Sequence, residues 1–177
     1  MITSDMRAVI AAQRLCFAAT VTPDGRPNLS PKGTIRVWDD EHLFFCDIAS
    51  PATRANLAGN PWMELNVVDP ISRRGYRFFG RATIHIGDEV HRAASSRIAE
   101  EEGAAYPVVA VVLLHVESAA SLVSPGYAHV PDEWTMREAW KRKRQTLDPE
   151  FEAHVRRVGA LHFPPRPDTP ARRRPAP

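Results

Sequence analysis

Cysteine is scarce in this chain: only Cys16 and Cys46 occur among 177 residues, each inside an apolar run typical of a strand. A free buried thiol is the usual outcome in such a setting, so neither a disulfide nor a metal role is indicated. No apolar run approaches the roughly 20 residues that span a bilayer, and the N-terminus lacks the cationic start and apolar core of a signal peptide. The sequence therefore predicts a cytoplasmic protein with no membrane partner.

The common catalytic signatures are also missing. There is no Walker-type glycine loop, no Gly-x-Gly-x-x-Gly, no His-Glu-x-x-His and no nucleophile elbow. The seven histidines are scattered, and the pair His85 and His91 is explained as well by surface or packed imidazoles as by a metal site. We therefore predict no metal site and name no catalytic side chain.

The net charge of +2 conceals an asymmetry along the chain. Residues 1–133 hold 12 Lys and Arg against 16 Asp and Glu, whereas residues 134–177 hold 11 against 5. The basic runs 141–144 and 172–174 could contact nucleic acid, but no aromatic residues are interleaved with them. A solvated helix end and a flexible tail explain these runs more simply, so no nucleic-acid partner is predicted.

The order of apolar patterns predicts a mainly β fold. A helix is expected over 4–14, strands over 15–22, 62–69, 76–86 and 108–116, and an exposed helix over 88–102, with Gly80 as a bulge or a bend. Two more strands fall between residues 27 and 47. Six strands with short connections and few helices predict a six-stranded antiparallel β-barrel with flanking helices rather than a parallel doubly wound sheet.

The C-terminal third has a different composition. Beyond Ser118 we expect an extended loop, a helix from about residue 132 and a second short helix over 149–158. Residues 164–177 are Pro-rich and cationic and are predicted to be a disordered tail. The domain prediction is therefore one domain over 1–163, with its barrel core at about 15–117 and its C-terminal loop and helices at 118–163.

The stretch from residue 27 to 61 carries the candidate site. Strand-forming residues on both sides of an Asp-Asp-Glu-His turn predict an antiparallel hairpin that leads into a short helix. Ser50 is placed to cap that helix, Pro51 suits its first position and Gly59 ends it. The free amides of Ala52 and Thr53, at the positive end of the helix and beside Arg54, predict a seat for a phosphate group.

The strand that precedes this helix carries Ser30, Lys32, Thr34 and Arg36 at alternate positions. All four side chains are therefore predicted to project from one face of the sheet. An exposed face with ordinary polar residues would explain the pattern equally well by itself. Because the predicted hairpin brings the phosphate seat beside that face, the pattern favours a phosphorylated cofactor.

Four motifs occur in a characteristic order: Ala-Thr-Val-x-x-Asp-Gly-x-Pro from residue 19, Ser-Pro-Lys-Gly-Thr-x-Arg-Val from 30, Ser-x-x-Thr-Arg-x-Asn-Leu-x-x-Asn-Pro from 50 and Arg-Gly-Tyr-Arg-Phe-x-Gly-Arg-Ala from 74. In this order the chain resembles the pyridoxamine 5'-phosphate oxidase-like superfamily of FMN-binding split barrels. The resemblance implies a split β-barrel homodimer with two FMN molecules at the subunit interface.

Residue by residue, the resemblance assigns two groups of cofactor contacts. It implies that the flavin and ribityl chain would be lined by residues of the strand that carries Ser30, namely Lys32, Gly33, Thr34 and Arg36, and Ser30 is counted with these cofactor contacts. It implies that the phosphate would be received by Ser50, Thr53 and Arg54.

Two departures from the family pattern bear on function. Many members have a basic residue where this chain has Ala52, so one phosphate contact is missing. The substrate signature of the Arg-Leu-His-Asp-Arg kind is also absent, since Leu161 and His162 lead into Phe-Pro-Pro, which argues against vitamin B6 oxidation. We therefore expect an FMN-dependent oxidoreductase acting on an unidentified small molecule. A deazaflavin-dependent reductase and a non-catalytic flavin or haem carrier remain alternatives.

Overall fold

The computed structural model describes residues 1–103 and 106–158. Its helices are α1 (Ser4–Gln13), α2 (Pro51–Gly59), α3 (Glu89–Glu102) and α4 (Glu133–Val158), with a short 3-10 helix at Pro125–Ala128. Its strands are β1 (Cys16–Val21), β2 (Pro27–Lys32), β3 (Arg36–Val37), β4 (His42–Asp47), β5 (Trp62–Asp69), β6 (Arg74–His85) and β7 (Ala110–Val123). No helix within the described residues is both long and apolar enough to cross a membrane.

All strand pairings are antiparallel, and the strands follow the order β2-β1-β5-β6-β7-β4-β3 in one sheet. Alternate residues of β1 and β5 are buried, as in Met63, Leu65 and Val67, so one face of the sheet packs on the core. The sheet curls into a split barrel with flanking helices, which confirms the predicted fold class, with seven strands where six were predicted.

The longest pairing joins β6 to β7 and contains a bulge. Phe79 pairs with Ser118, whereas Gly80 pairs with Val116, so one residue of β7 is left over. A Cβ atom at Gly80 would lie 1.9 Å from the carbonyl oxygen of His115, so glycine is required by this close backbone approach. The predicted bulge at Gly80 is confirmed.

Two apolar clusters hold the helices to the sheet. The larger one lies inside the barrel, where Ile10 of α1 and Leu57 of α2 pack among inward-facing strand residues. The smaller one lies on the outer face, where Ala94 and Ile98 of α3 cover Phe44. Thr3 caps α1, with its hydroxyl accepting a hydrogen bond from the amide of Met6.

The prediction of one continuous strand through Ser30, Lys32, Thr34 and Arg36 is wrong. The chain turns at Gly33 and Thr34, so β2 ends at Lys32 beside β1 and β3 begins at Arg36 beside β4. The Thr34 hydroxyl instead donates to the carbonyl of Cys46 (3.0 Å) and accepts from its amide (2.9 Å), which satisfies backbone groups that a continuous strand would have paired. This break supplies the seventh strand. The hairpin of β3 and β4 around residues 39–41 is confirmed.

Two C-terminal predictions are also wrong. β7 continues to Val123 instead of ending before Ser118, because β6 is long enough to pair with it as far as Arg74. A single helix, α4, replaces the two predicted helices and contains Pro149, so one helical hydrogen bond is lost without the helix ending there.

The residues fall into two compact units, Met1–Met136 and the chain from Arg137 onward. In the second unit, the described side chains from residue 141 on are exposed, and ion pairs one helical turn apart line the helix, as between Arg156 and Glu152. The prediction of one domain over 1–163 stays a prediction. The predicted tail, 164–177, lies outside the described residues.

Candidate functional site

The end of β2 meets the start of α2 at a buried lysine. Lys32 is only 4% exposed, and its Nζ atom donates hydrogen bonds to the hydroxyls of Ser30 (2.5 Å) and Ser50 (2.9 Å). The same ammonium group lies 5.6 Å from the centre of the Phe45 ring. A buried cation is costly unless polar groups surround it, and the two serine hydroxyls supply hydrogen-bond acceptors for the Lys32 ammonium group.

The N-terminus of α2 lies beside this lysine. Ser50 occupies the N-cap position, as predicted, but its hydroxyl makes no capping hydrogen bond and instead accepts from Lys32. The amides at the start of α2 are therefore not capped by Ser50, which leaves donors and a partial positive charge at this end of a nine-residue helix. Ala52 is exposed in this first turn.

Asp47 is a part of the site that the sequence analysis missed. Its Oδ1 atom accepts a hydrogen bond from the Ser50 amide (2.6 Å), and its Oδ2 atom lies 2.8 Å from Nε of Arg54 in an ion pair. The side chain of Asp47 is 1% exposed. An acidic residue at the end of a buried strand, three residues before a helix cap, was the signal that could have found it. Asp47 thus fixes the position of Ser50 and orients Arg54.

The remaining predicted residues take different positions. Thr34 is bound to the backbone of Cys46, and Gly33 lies in open space, since a Cβ atom there would meet nothing within 4 Å. Thr53 is buried in α2. One turn further along the helix, Asn56 donates to the hydroxyl of Thr20 on β1 (2.9 Å) and holds α2 against the barrel.

Arg36 faces α3. Its Nε and Nη2 atoms donate to Glu101 and Glu102, each at 2.5 Å, and Nη1 donates to the carbonyl of Ile35 (2.9 Å). The Arg36 hydrogen bond is the largest cause that lowers the pKa of Glu101, followed by the hydrogen bond from Arg97. The structure therefore brings Ser30, Lys32 and Ser50 together at the start of α2 and places Arg54 beside Asp47. The Arg36 guanidinium instead binds the two glutamates at the end of α3.

A second feature is an apolar area on the outer face of β2, β1, β5 and β6. Its side chains are exposed although they are large, and Leu29 reaches 66% exposure. A cavity of about 390 Å³ lies here, lined by Phe17, Ala19, Leu29, Glu64, Asn66 and Val68. The side-chain oxygen of Asn66 is buried and has no hydrogen-bond partner among the described residues. Exposed apolar patches of this kind mark interaction surfaces.

The family model for pyridoxamine 5'-phosphate oxidase matches residues 2–122, from the start of the chain to the end of β7. The chain belongs to this family. The match confirms the resemblance inferred from the motifs, and it ends before α4. No curated protein sequence matches the chain.

Solved structures with the same fold include members of the pyridoxamine 5'-phosphate oxidase family. HupZ of Group A Streptococcus is 35% identical over 70% of this chain and 96% of its own, with a TM-score of 0.63. A candidate pyridoxamine 5'-phosphate oxidase of Lactobacillus delbrueckii is 24% identical over 67% of this chain and 92% of its own (TM-score 0.57). An FMN-binding protein of Syntrophomonas wolfei is 12% identical over 67% and 84% (TM-score 0.57). The last two similarities concern the fold alone.

Proposed function

We propose that this protein binds FMN through the cluster of Lys32, Ser30 and Ser50 and acts as a flavin-dependent oxidoreductase on a small molecule. The observation that carries the proposal is the buried ammonium group of Lys32 at the uncapped start of α2. A phosphate monoester is close to a dianion at neutral pH, so a fixed cation, hydroxyl donors and helix amides match it in charge and in hydrogen bonding.

Each residue has a separate part in this proposal. Lys32 supplies the charge, and Ser50 can turn its hydroxyl from Lys32 towards a phosphate oxygen. The exposed first turn of α2, at Ala52, leaves room for the phosphate. Arg54 follows in the first turn of α2 but is already paired with Asp47. The Asp47 carboxylate would therefore lie near the phosphate and lower the affinity for FMN. Arg36 is left out because its donors are engaged by α3.

The cofactor would supply the electron-transfer chemistry, while the protein binds and orients it. Membership of the pyridoxamine 5'-phosphate oxidase family supports FMN as the ligand. The absence of the substrate signature after residue 160 supports a substrate other than a B6 vitamer.

We also propose a homodimer in which a second copy covers the apolar area around Phe17, Leu29 and Val68. Burying this area in an isologous contact would remove several large exposed side chains from water, with a gain of roughly 25 cal/mol per Å² before the cost of association. Sedimentation should give about twice the 19.8 kDa chain mass. A monomer at micromolar concentration would contradict the dimer.

Binding of FMN and of riboflavin to Lys32→Met tests the site, because riboflavin lacks the phosphate. A lost charge-assisted hydrogen bond contributes about 1.5 to 3 kcal/mol, so FMN affinity should fall roughly 10- to 150-fold while riboflavin affinity changes little. Ala52→Lys restores the cation that relatives have and should tighten FMN. Flavin fluorescence quenching measures the affinities of the wild type and of both variants for FMN and riboflavin.

Equal FMN affinity in the wild type and Lys32→Met would mean that the phosphate lies elsewhere or that FMN is not the ligand. An equal loss for FMN and riboflavin would assign Lys32 to the ring or to the fold. Turnover with a nicotinamide donor and a small-molecule acceptor separates an oxidoreductase from a carrier that binds flavin without reacting.

A further inference from the structure

Two histidines meet on the outer face of the sheet, away from the candidate phosphate site. His42 begins β4 and is paired in register with His115 of β7, so both side chains project from the same face. Their ring centres are 5.1 Å apart, and the ring planes are tilted by 48°. His115 is exposed, and its imidazole makes no hydrogen bond within residues 1–103 and 106–158.

The separation of the rings suits a shared metal ion. A zinc ion lies about 2.0–2.1 Å from each imidazole nitrogen and hence about 3.2 Å from each ring centre. Two rings at a tetrahedral angle around one ion therefore have centres roughly 5.2 Å apart. The observed 5.1 Å is compatible with this separation, and rotation of the exposed His115 ring would turn one of its nitrogens towards the ion.

The orientation of His42 is already fixed. Its Nδ1 atom lies 2.9 Å and 3.0 Å from the two carboxylate oxygens of Asp39. Because a carboxylate accepts hydrogen bonds, Nδ1 carries the hydrogen and Nε2 keeps its lone pair free to bind a cation. A carboxylate that holds the far nitrogen of a histidine is the arrangement that accompanies zinc-binding imidazoles.

The charges around the pair favour a cation. The turn before β4 holds three consecutive acidic residues, 39–41, of which Asp40 is paired with Arg7. On the other side, Arg81 of β6 is in register with His115, but its guanidinium lies 5.4 Å from the centre of the Trp62 ring on β5. The Arg81 guanidinium thus lies over the Trp62 ring of the neighbouring strand.

We propose that His42 and His115 bind one divalent transition-metal ion of the zinc type, with Asp39 as the positioning residue. No three His, Cys, Asp or Glu side chains converge on one point in the described part of the chain, so water would complete the coordination. The ion would link the turn before β4 to the middle of β7. The alternative is that the two rings only pack against each other. This proposal is independent of flavin binding.

The chain contains a matched control. His85 also binds a carboxylate through Nδ1 (2.8 Å to Asp88), but its Nε2 atom is held by the Thr83 hydroxyl at 2.8 Å. Its pairing with an aspartate is the same, yet it lacks a free nitrogen. A variant at His85 should therefore leave zinc binding unchanged.

Titration of untagged protein with zinc ions by calorimetry tests the proposal. The wild type and His85→Ala should bind one zinc ion per chain at this site, and His42→Gln and His115→Gln should lose that binding. Asp39→Asn keeps an acceptor for the turn amides and should weaken zinc binding by about 10- to 100-fold.

A second measurement guards against loss of folding in the variants. Zinc should raise the melting temperature of the wild type and of His85→Ala, but not that of His115→Gln. Zinc binding in His115→Gln equal to that of the wild type, or no binding in the wild type, would overturn the proposal and leave ring packing as the explanation.

Discussion

Replacement of Arg36 by methionine should destabilise the fold by about 2–4 kcal/mol. The Arg36 side chain is 5% exposed and donates to two carboxylates, Glu101 and Glu102, that are about a third exposed or less. Breaking a buried ion pair costs about 3–5 kcal/mol. The cost is reduced here because Glu101 keeps Arg97 (2.8 Å) and Glu102 keeps Arg14 (3.3 Å), and water reaches both carboxylates.

The same contact predicts a pH dependence. The pKa of Glu101 lies below its ordinary value of 4.5 in the folded protein, chiefly because Arg36 donates to it. The unfolded chain therefore binds the proton more readily, and the stabilisation is present above about pH 4.5 and is lost as the pH falls through the folded pKa. Arg36→Met should flatten this part of the stability curve.

Urea unfolding at pH 7 and near pH 4 measures both effects, with Arg26→Met as the control. Arg26 also pairs with a carboxylate, that of Asp24, but its side chain is 81% exposed, so its loss should change the free energy of unfolding by less than about 1 kcal/mol. Equal stability of Arg36→Met and Arg26→Met at pH 7 would refute the reasoning. So would a pH dependence of Arg36→Met identical to that of the wild type.

Two further outcomes follow from packing and burial. Gly80→Ala should lower the free energy of unfolding by about 1–3 kcal/mol or more, because the new Cβ atom would overlap the His115 carbonyl oxygen. A Cβ atom at Gly59 would meet no atom within 4 Å, so Gly59→Ala should be neutral. Thermal unfolding compares the two variants. Burial raises the pKa of the Cys16 thiol to about 12 and that of the Cys46 thiol to about 11. A disulfide-containing reagent that modifies thiols at about pH 8 should therefore react with both cysteines only after the protein unfolds. Rapid reaction in the native state would contradict their burial.

Much of the fold could be predicted from local patterns in the sequence. The signals for α2 were all adjacent to it, with Ser50 and Pro51 at its start and Gly59 at its end, and the helix forms over Pro51–Gly59. Alternation predicted a strand over 62–69, and β5 forms over Trp62–Asp69. These features depend on neighbours a few residues apart, which a sequence displays directly.

The features that the sequence did not reveal depend on distant partners. Whether β2 continues into β3 was decided by competition between β1 and β4 for pairing, which alternation cannot show. Arg36 meets carboxylates 65 and 66 positions away, so the pattern that placed it beside a cofactor gave no sign of α3. The pairing of His42 with His115 depends on strand order in the same way.

The strand order has a consequence for the candidate phosphate site. β2 and β3 are consecutive in the chain yet form opposite edges of the sheet, with only residues 33–35 between them. Four peptide links reach at most about 14 Å, which is therefore the largest possible distance between the Cα atoms of Lys32 and Arg36. The two edges cannot separate further at this point, even if hydrogen bonds break elsewhere in the sheet. Lys32 is the last residue of the β2 edge. Its ammonium group donates a hydrogen bond to Ser50, which lies at the start of α2, the helix that follows β4 beside the other edge strand. The covalent chain itself thus limits how far the two sides of the candidate phosphate site can move apart, in addition to the packing around them.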